Sequence, residues 1–193
     1  MGTTRARSRG TLPRPLSERS PVNGPDGIRE WLVGGGIVAS DDGVLLVQNR
    51  RRDGRLDWSP PGGVIDPGET LLDGLTREVA EETGLVVAGW EGPAYEISAE
   101  APDMGWRLAV EAHVAVGVTG ELGSEDPDGI VVAARYLGAD ECAGLLTGAP
   151  RWVAEPLLDL LAEPSAASRR YRYRVDGTLA GRDIRVARLD DRP

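Results

Sequence analysis

A chain of 193 residues, 40% of them hydrophobic, is long enough for one globular domain with a real core. Its net charge of −9 argues against general nucleic-acid binding, which needs a basic surface, and no apolar run approaches the roughly 18–20 residues of a membrane span. The single cysteine, Cys142, excludes an internal disulfide; with no apolar run behind the N-terminal arginines to form a secretory signal, a cytoplasmic protein is expected.

Residues 1–27 set Arg5, Arg7, Arg9, Arg14 and Arg19 among prolines with few apolar side chains, and read as a flexible Arg/Pro-rich tail. The candidate domain follows, at 28–163. Residues 31–39 (WLVGGGIVA) and 44–48 (VLLVQ) have the composition of two strands, with Asp41-Asp42-Gly43 as the hairpin turn between them. Arg50, Arg51, Arg52 and Arg55 make a basic loop that leads into a glycine run. Leu71, Leu72, Leu75 and Val79 then recur at helical spacing as a core-facing stripe. Pro67-Gly68 supplies a turn before them and Gly84 a stop after them, so a helix of about four turns is expected. Residues 86–90 and 94–99 read as strands broken near Gly92-Pro93, residues 107–118 as a long alternating strand, and residues 130–137 as another. His113, the only histidine, lies in that long strand and is expected to be packed or hydrogen-bonded. Residues 141–146, where Cys142 fits as a small core residue, and residues 152–161 look helical. The second helix has a core stripe of Trp152, Leu157, Leu158 and Leu161. Residues 164–193 form a C-terminal extension, in which 171–175 and 184–189 suggest a hairpin around Asp176-Gly177.

The chemistry concentrates on the first helix. Glu78, Glu81 and Glu82 are spaced i, i+3, i+4, which places them on one face with Cβ atoms about 5–6 Å apart. Such like charges repel by a few tenths of a kcal/mol per pair, and a hard cation taking oxygen ligands is the natural compensation. Mg²⁺ suits one or two protein carboxylates plus waters and substrate phosphates. The apolar stripe turns inward, so the acidic face is expected to point outward. Arg77 beside these carboxylates can orient one of them through a charge-assisted hydrogen bond.

Gly63, Glu69, Arg77, Glu78, Glu81, Glu82 and Gly84, with aliphatic Val79 and Leu85 between, match every specified position of the pattern G-x5-E-x7-R-E-U-x-E-E-x-G-U, where U is aliphatic. The stretch from Gly63 to Leu85 resembles the Nudix box. The run Trp58-Ser59-Pro60-Pro61-Gly62-Gly63 is similar to the W-x-x-P-G-G approach common in Nudix hydrolases. The resemblance covers about residues 30–162, and its motifs lie in 58–85. It implies an α/β fold, an α/β/α sandwich around a mixed β-sheet. It also implies hydrolysis of a phosphoanhydride in a nucleoside diphosphate linked to another moiety, such as a nucleoside triphosphate or a nucleotide sugar of the ADP-ribose type.

By the same resemblance, Glu78, Glu81, Glu82 and the Gly62 carbonyl hold Mg²⁺, with Mn²⁺ as a substitute, and Glu69 and Arg77 hold those ligands in place. The general base is either a box glutamate or a downstream acid, with Glu111, Glu121, Glu125, Asp126 and Asp128 as candidates. Apart from the resemblance, the place of the basic loop Arg50, Arg51, Arg52 and Arg55 between a strand and the acidic helix makes it a candidate for phosphate contact, with Arg50 and Arg52 singled out. Trp58, Trp90, Trp106 and Tyr95 can each stack a base or belong to the core. The expected partner is a small-molecule nucleotide; a homodimer is allowed, and neither a membrane nor nucleic acid is called for. A reading from another class is a catalytically silent Nudix-fold module that binds nucleotides or proteins. A third is an RNA-end hydrolase that uses the basic tail.

Overall fold

The computed structural model describes residues 22–23, 27–51, 53–123, 129–165, 168–178 and 184–189. The expectations for Arg5, Arg7, Arg9, Arg14 and Arg19 of the basic tail, and for Arg52, Glu125, Asp126 and Asp128, therefore fall outside the described residues, whereas Val22–Asn23 of the expected flexible tail form a short strand.

The strands of the described residues divide between two sheets. The larger, mixed sheet contains β1 (Val22–Asn23), β2 (Arg29–Ile37), β6 (Gly62–Val64), β7 (Val86–Ala101), β8 (Trp106–Thr119), β10 (Arg169–Asp176) and β11 (Arg185–Arg188). Its order is β1-β2-β8-β7-β10-β11, with β6 added antiparallel to β2. β2 runs parallel to β8, and β7 parallel to β10; β7 and β8 are antiparallel. The smaller, antiparallel sheet joins β3 (Ala39–Ser40), β4 (Gly43–Arg50), β5 (Leu56–Ser59) and β9 (Val131–Leu137) around β4.

Among the described residues three α-helices complete the fold: α1 (Leu71–Thr83), α2 (Ala139–Leu145) and α3 (Arg151–Ala162). α1 and α3 cover opposite faces of the larger sheet, and strand alternation in β2 shows why. Gly34 and Gly36 face α1, and a Cβ on either would come within 3.1 Å of Leu75 or Val79 respectively. Glycine at these positions lets the helix lie close on the sheet. The α3 face carries Leu108, Val110 and Ala112 of β8 beside Tyr95, Ile97 and Ala99 of β7.

The core has two parts. One lies between the α3 face, α2, α3 and the small sheet, and includes Ile37, Leu46, Leu137, Cys142, Leu157 and Tyr171. The other lies beneath α1 and gathers Val38, Leu45, Leu75, Val79, Leu85 and Val87. Leu75 and Val79 are fully buried, a stabilisation of about 1.5–3 kcal/mol each.

Three expectations need correction. The turn at Asp41-Asp42-Gly43 closes the short β3–β4 hairpin, whereas β2 passes into the other sheet, so the two predicted strands pair only where Ala39 meets Val44. β7 is one continuous strand; at Gly92-Pro93 it bulges, shifting register between Glu91 and Tyr95, and then resumes pairing with β8. Leu72 is 39% exposed and does not belong to the buried stripe of α1. Leu75 and Val79 are one helical turn apart and suffice to seat the helix.

Candidate active site

Local chemistry fixes both ends of α1. The Thr70 hydroxyl oxygen accepts from the Asp73 N–H at 3.2 Å, capping the start. Gly84 adopts a left-handed conformation (φ 73°), and its N–H returns to the Ala80 carbonyl. Between these caps the acidic face does not open to solvent as the spacing alone suggested. Glu78 is 4% exposed, and Glu81 and Glu82 are half-buried.

Arg77 organises this face. Its Nε and Nη2 donate to the two Glu69 oxygens at 2.9 and 2.8 Å, a forked pair. Its Nη1 donates to Glu78 at 2.7 Å and to Glu81 at 3.3 Å. Glu69 also accepts from the Asp66 N–H, which ties the loop before α1 to the helix. Hydrogen bonding to Glu69, opposed by burial and reinforced by Glu78, holds the Arg77 guanidinium above its ordinary value, so it stays charged.

The glycine run meets the same helix face. Gly62 donates its N–H to Glu82 Oε2 at 2.8 Å. Gly62 has φ 138°, and a Cβ there would lie 2.2 Å from the Gly34 carbonyl oxygen. Gly63 sits over Glu78, where a Cβ would come within 2.6 Å of Oε2. The absence of side chains at 62 and 63 thus brings β6 backbone against two of the three clustered carboxylates.

Among the described residues no three acidic, histidine or cysteine side chains converge to enclose an ion in this arrangement, and Arg77 bridges Glu78 and Glu81. One guanidinium against Glu69, Glu78, Glu81 and Glu82 leaves an excess of negative charge. The donors are all oxygens, and the bare Gly63 backbone adjoins the buried Glu78. This chemistry fits a hard divalent cation.

A cleft of about 310 Å³ opens beside Gly62, Gly63 and Glu82. Its walls are largely apolar, with Tyr95, Ile97, Leu108, Val110, Trp152 and Val153. Polar groups come from Asn49, Arg51 and Ser59. Asn49 is 6% exposed, and its amide donates to Ser59 Oγ at 2.9 Å. It lies where the β4–β9 pairing shifts register, an irregularity that re-aims side chains.

The sequence-predicted residues are distributed as follows. Glu69, Arg77, Glu78, Glu81, Glu82 and Gly62 are brought together. Trp58 is 8% exposed and packs in the main core, away from the cleft lining. Arg50 is exposed and does not line the cleft; its neighbour Arg51 does. Strand alternation opposes Glu111 to the cleft-lining Leu108 and Val110, and Glu111 instead pairs with the buried His113 at 3.2 Å. Glu121 is exposed beyond β8. Trp90 donates to Thr76 and packs beneath α1. Trp106 is partly buried, edge-on to Trp152 with ring centroids 6.3 Å apart. Asn49, Ser59, Trp152 and Val153 escaped the sequence reading. Only the helical stripe pointed to Trp152, and it pointed to the core.

A family model described as the NUDIX domain matches residues 32–160. The chain belongs to this family. Members of the Nudix family hydrolyse phosphorus-containing anhydrides, and relatives are named accordingly. The 8-oxo-dGDP phosphatase NUDT18 of Homo sapiens is 46% identical over 49 residues, which cover 25% of this chain and 15% of that protein. The ADP-ribose pyrophosphatase of Methanocaldococcus jannaschii is 35% identical over 51 residues, covering 26% of this chain and 30% of that protein. The matched segments thus span well under half of these relatives. Among solved structures, the MutT protein of Bacillus halodurans superposes with a TM-score of 0.57 at 24% identity, covering 84% of this chain and 99% of that one. The E. coli ORF135 protein gives 0.59 at 21% identity, covering 74% and 100%. The Nudix domain here therefore shares its fold with MutT-type proteins.

Proposed function

We propose that this Nudix domain is a Mg²⁺-dependent hydrolase that cleaves a phosphoanhydride in a nucleoside diphosphate linked to a second moiety. The observation that carries the reading is the contact of Glu82 with the Gly62 N–H at the wall of the open cleft, beside the buried Glu78. Glu78, Glu81, Glu82 and the Gly62 carbonyl would hold the metal, with Mn²⁺ as a substitute. When bound, the ion supplies charge neutralisation at phosphate oxygens and a lowered pKa for water.

The protein's own groups do the rest. Glu69 holds Arg77 through Nε and Nη2, so a cation at Glu78 and Glu81 would compete with the Nη1 contacts while the fork to Glu69 stays in place. The carboxylate of the trio left least engaged accepts the proton of the attacking water. The apolar cleft walls accommodate a planar base, and Asn49 and Ser59 offer donors and acceptors to its edge. Arg51 is the cleft-side cation for phosphate. The substrate classes that fit are a nucleoside di- or triphosphate and a nucleotide sugar of the ADP-ribose type, in keeping with the names of the relatives. A cytoplasmic setting suits this chemistry.

The test is release of phosphate or nucleoside monophosphate from a panel that includes 8-oxo-dGDP, nucleoside triphosphates and ADP-ribose, with and without Mg²⁺. Wild-type protein should turn over at least one compound only when metal is present, and Glu82→Gln should lower that turnover by at least about 10²-fold. An amide at 82 still accepts from the Gly62 N–H, so the fold should persist. Metal-independent turnover, or a Glu82→Gln protein as active as wild type, would overturn the assignment. The silent-module reading predicts binding of a nucleotide with no turnover across the panel.

A further inference from the structure

The C-terminal hairpin β10–β11 lies beyond residue 160, where the family model ends. It nevertheless reaches the cleft indirectly, through α3. β10 extends the larger sheet by pairing parallel with β7, and on its α3 face it presents Tyr171 and Tyr173, both at most 2% exposed. Tyr171 donates its hydroxyl to Asp159 at 3.0 Å, and Tyr173 donates to Glu155 at 2.9 Å.

The spacing of these pairs is matched. Two residues along a strand advance about 6.7 Å, and four along a helix about 6 Å. The two bonds therefore fix both the position and the direction of α3. Arg188 of β11 adds a third point: its guanidinium lies 3.6 Å from Asp159, 3.9 Å from Glu155 and 4.7 Å from the centre of the Tyr171 ring. Arg151, next to Trp152, donates to the Val186 carbonyl at 3.1 Å.

Helix α3 needs this support where it borders the cleft. Pro156 has no N–H, so the Trp152 carbonyl lacks its i+4 partner in the helix ladder. Trp152 and Val153 occupy that first turn and line the cleft. Glu155, held by Tyr173, lies less than one turn further on. Tyr171 also packs edge-on against cleft-lining Tyr95, with centroids 6.2 Å apart.

We infer that the hairpin braces the substrate-binding wall, with Tyr171, Tyr173 and Arg188 as positioning residues that set Trp152 for the bound substrate. The kinetic part of this inference rests on the hydrolase reading above; the brace itself does not.

The test compares wild type with the double variant Tyr171→Phe/Tyr173→Phe, which keeps both rings and removes only the hydroxyls. In hydrogen–deuterium exchange on the free protein, residues 151–162 should lose about tenfold protection while residues 71–83 keep theirs. For the best substrate of the panel, KM should rise about tenfold with kcat within about twofold, equivalent to ~1.4 kcal/mol of lost binding. Unchanged protection of α3, or equal loss in both helices, would overturn the brace. So would a fall in kcat at constant KM. Should wild type turn over nothing in the panel, the hydrolase reading fails, and the exchange data still decide whether the hairpin holds α3.

Discussion

Gly63→Ala isolates the placement of a single carboxylate. Gly63 lies outside the left-handed region, so its backbone tolerates alanine; the obstacle is the added methyl, 2.6 Å from Glu78 Oε2 and 2.8 Å from Cδ. Ordinary contact requires about 3.5 Å or more, so the carboxylate must move by about 1 Å. Glu78 is 4% exposed and bound to Arg77 at 2.7 Å, so the move costs that charge-assisted bond, about 2 kcal/mol. For a chain of this size, Tm should fall by about 4–8 °C. Turnover should fall further, by about 10²-fold, because a misplacement of about 1 Å at a reacting centre costs that much. Thermal melts and the phosphate-release assay read the two effects on one preparation. Gly62→Ala is the contrast: there the Cβ strikes the Gly34 carbonyl at 2.2 Å from a backbone at φ 138°, and folding itself should suffer. Wild-type turnover in a folded Gly63→Ala protein would refute the claim that the buried position of Glu78 matters to the chemistry.

Other perturbations separate the supporting interactions. Arg77→Lys replaces a fork with a point charge that cannot span Glu69 and Glu78 together; turnover should drop by about 10–100-fold and the Mg²⁺ concentration for half-activity should rise. Thr70→Ala removes the α1 cap and should cost about 1 kcal/mol, seen as a Tm lower by about 2–4 °C. Burial raises the hydroxyl pKa of Tyr95, Tyr171 and Tyr173, the effect at Tyr173 being strengthened by Glu155. Their stabilisation is full below the unfolded value of about 10 and is lost as pH rises from there toward the folded values. Tm should therefore fall above about pH 10, and Tyr173→Phe should make that fall shallower.

How far the sequence reveals this protein depends on whether an interaction is local or distant. Helix α1 was legible because its determinants lie within one segment: Leu75 and Val79 at helical spacing, the turn at Pro67-Gly68, and Gly84 with the positive φ a stop requires. The gathering of Glu78, Glu81 and Glu82 follows from the same periodicity, yet their burial does not. Burial comes from β6, whose bare Gly62 and Gly63 lie against the helix by pairing with β2, and spacing carries no record of that approach.

The same limit explains the substrate side. Trp58 stands beside the glycine run in sequence, where it could stack a base or belong to the core, and strand β5 turns it into the core. Arg50 and Arg51 are adjacent, and only the course of the chain as it leaves β4 decides that Arg51 and not Arg50 reaches the cleft. Trp152 shows the limit most clearly. Its helical stripe is real, and Leu157 on that stripe is fully buried, but a stripe says only that one face of α3 is covered. Covering that face leaves an opening at its N-terminal turn, where β8 and β7 contribute Leu108, Val110 and Tyr95 to the same wall. A periodicity argument cannot distinguish a side chain that fills a core from one that lines a cleft beside it, because both require an apolar residue at the same angle.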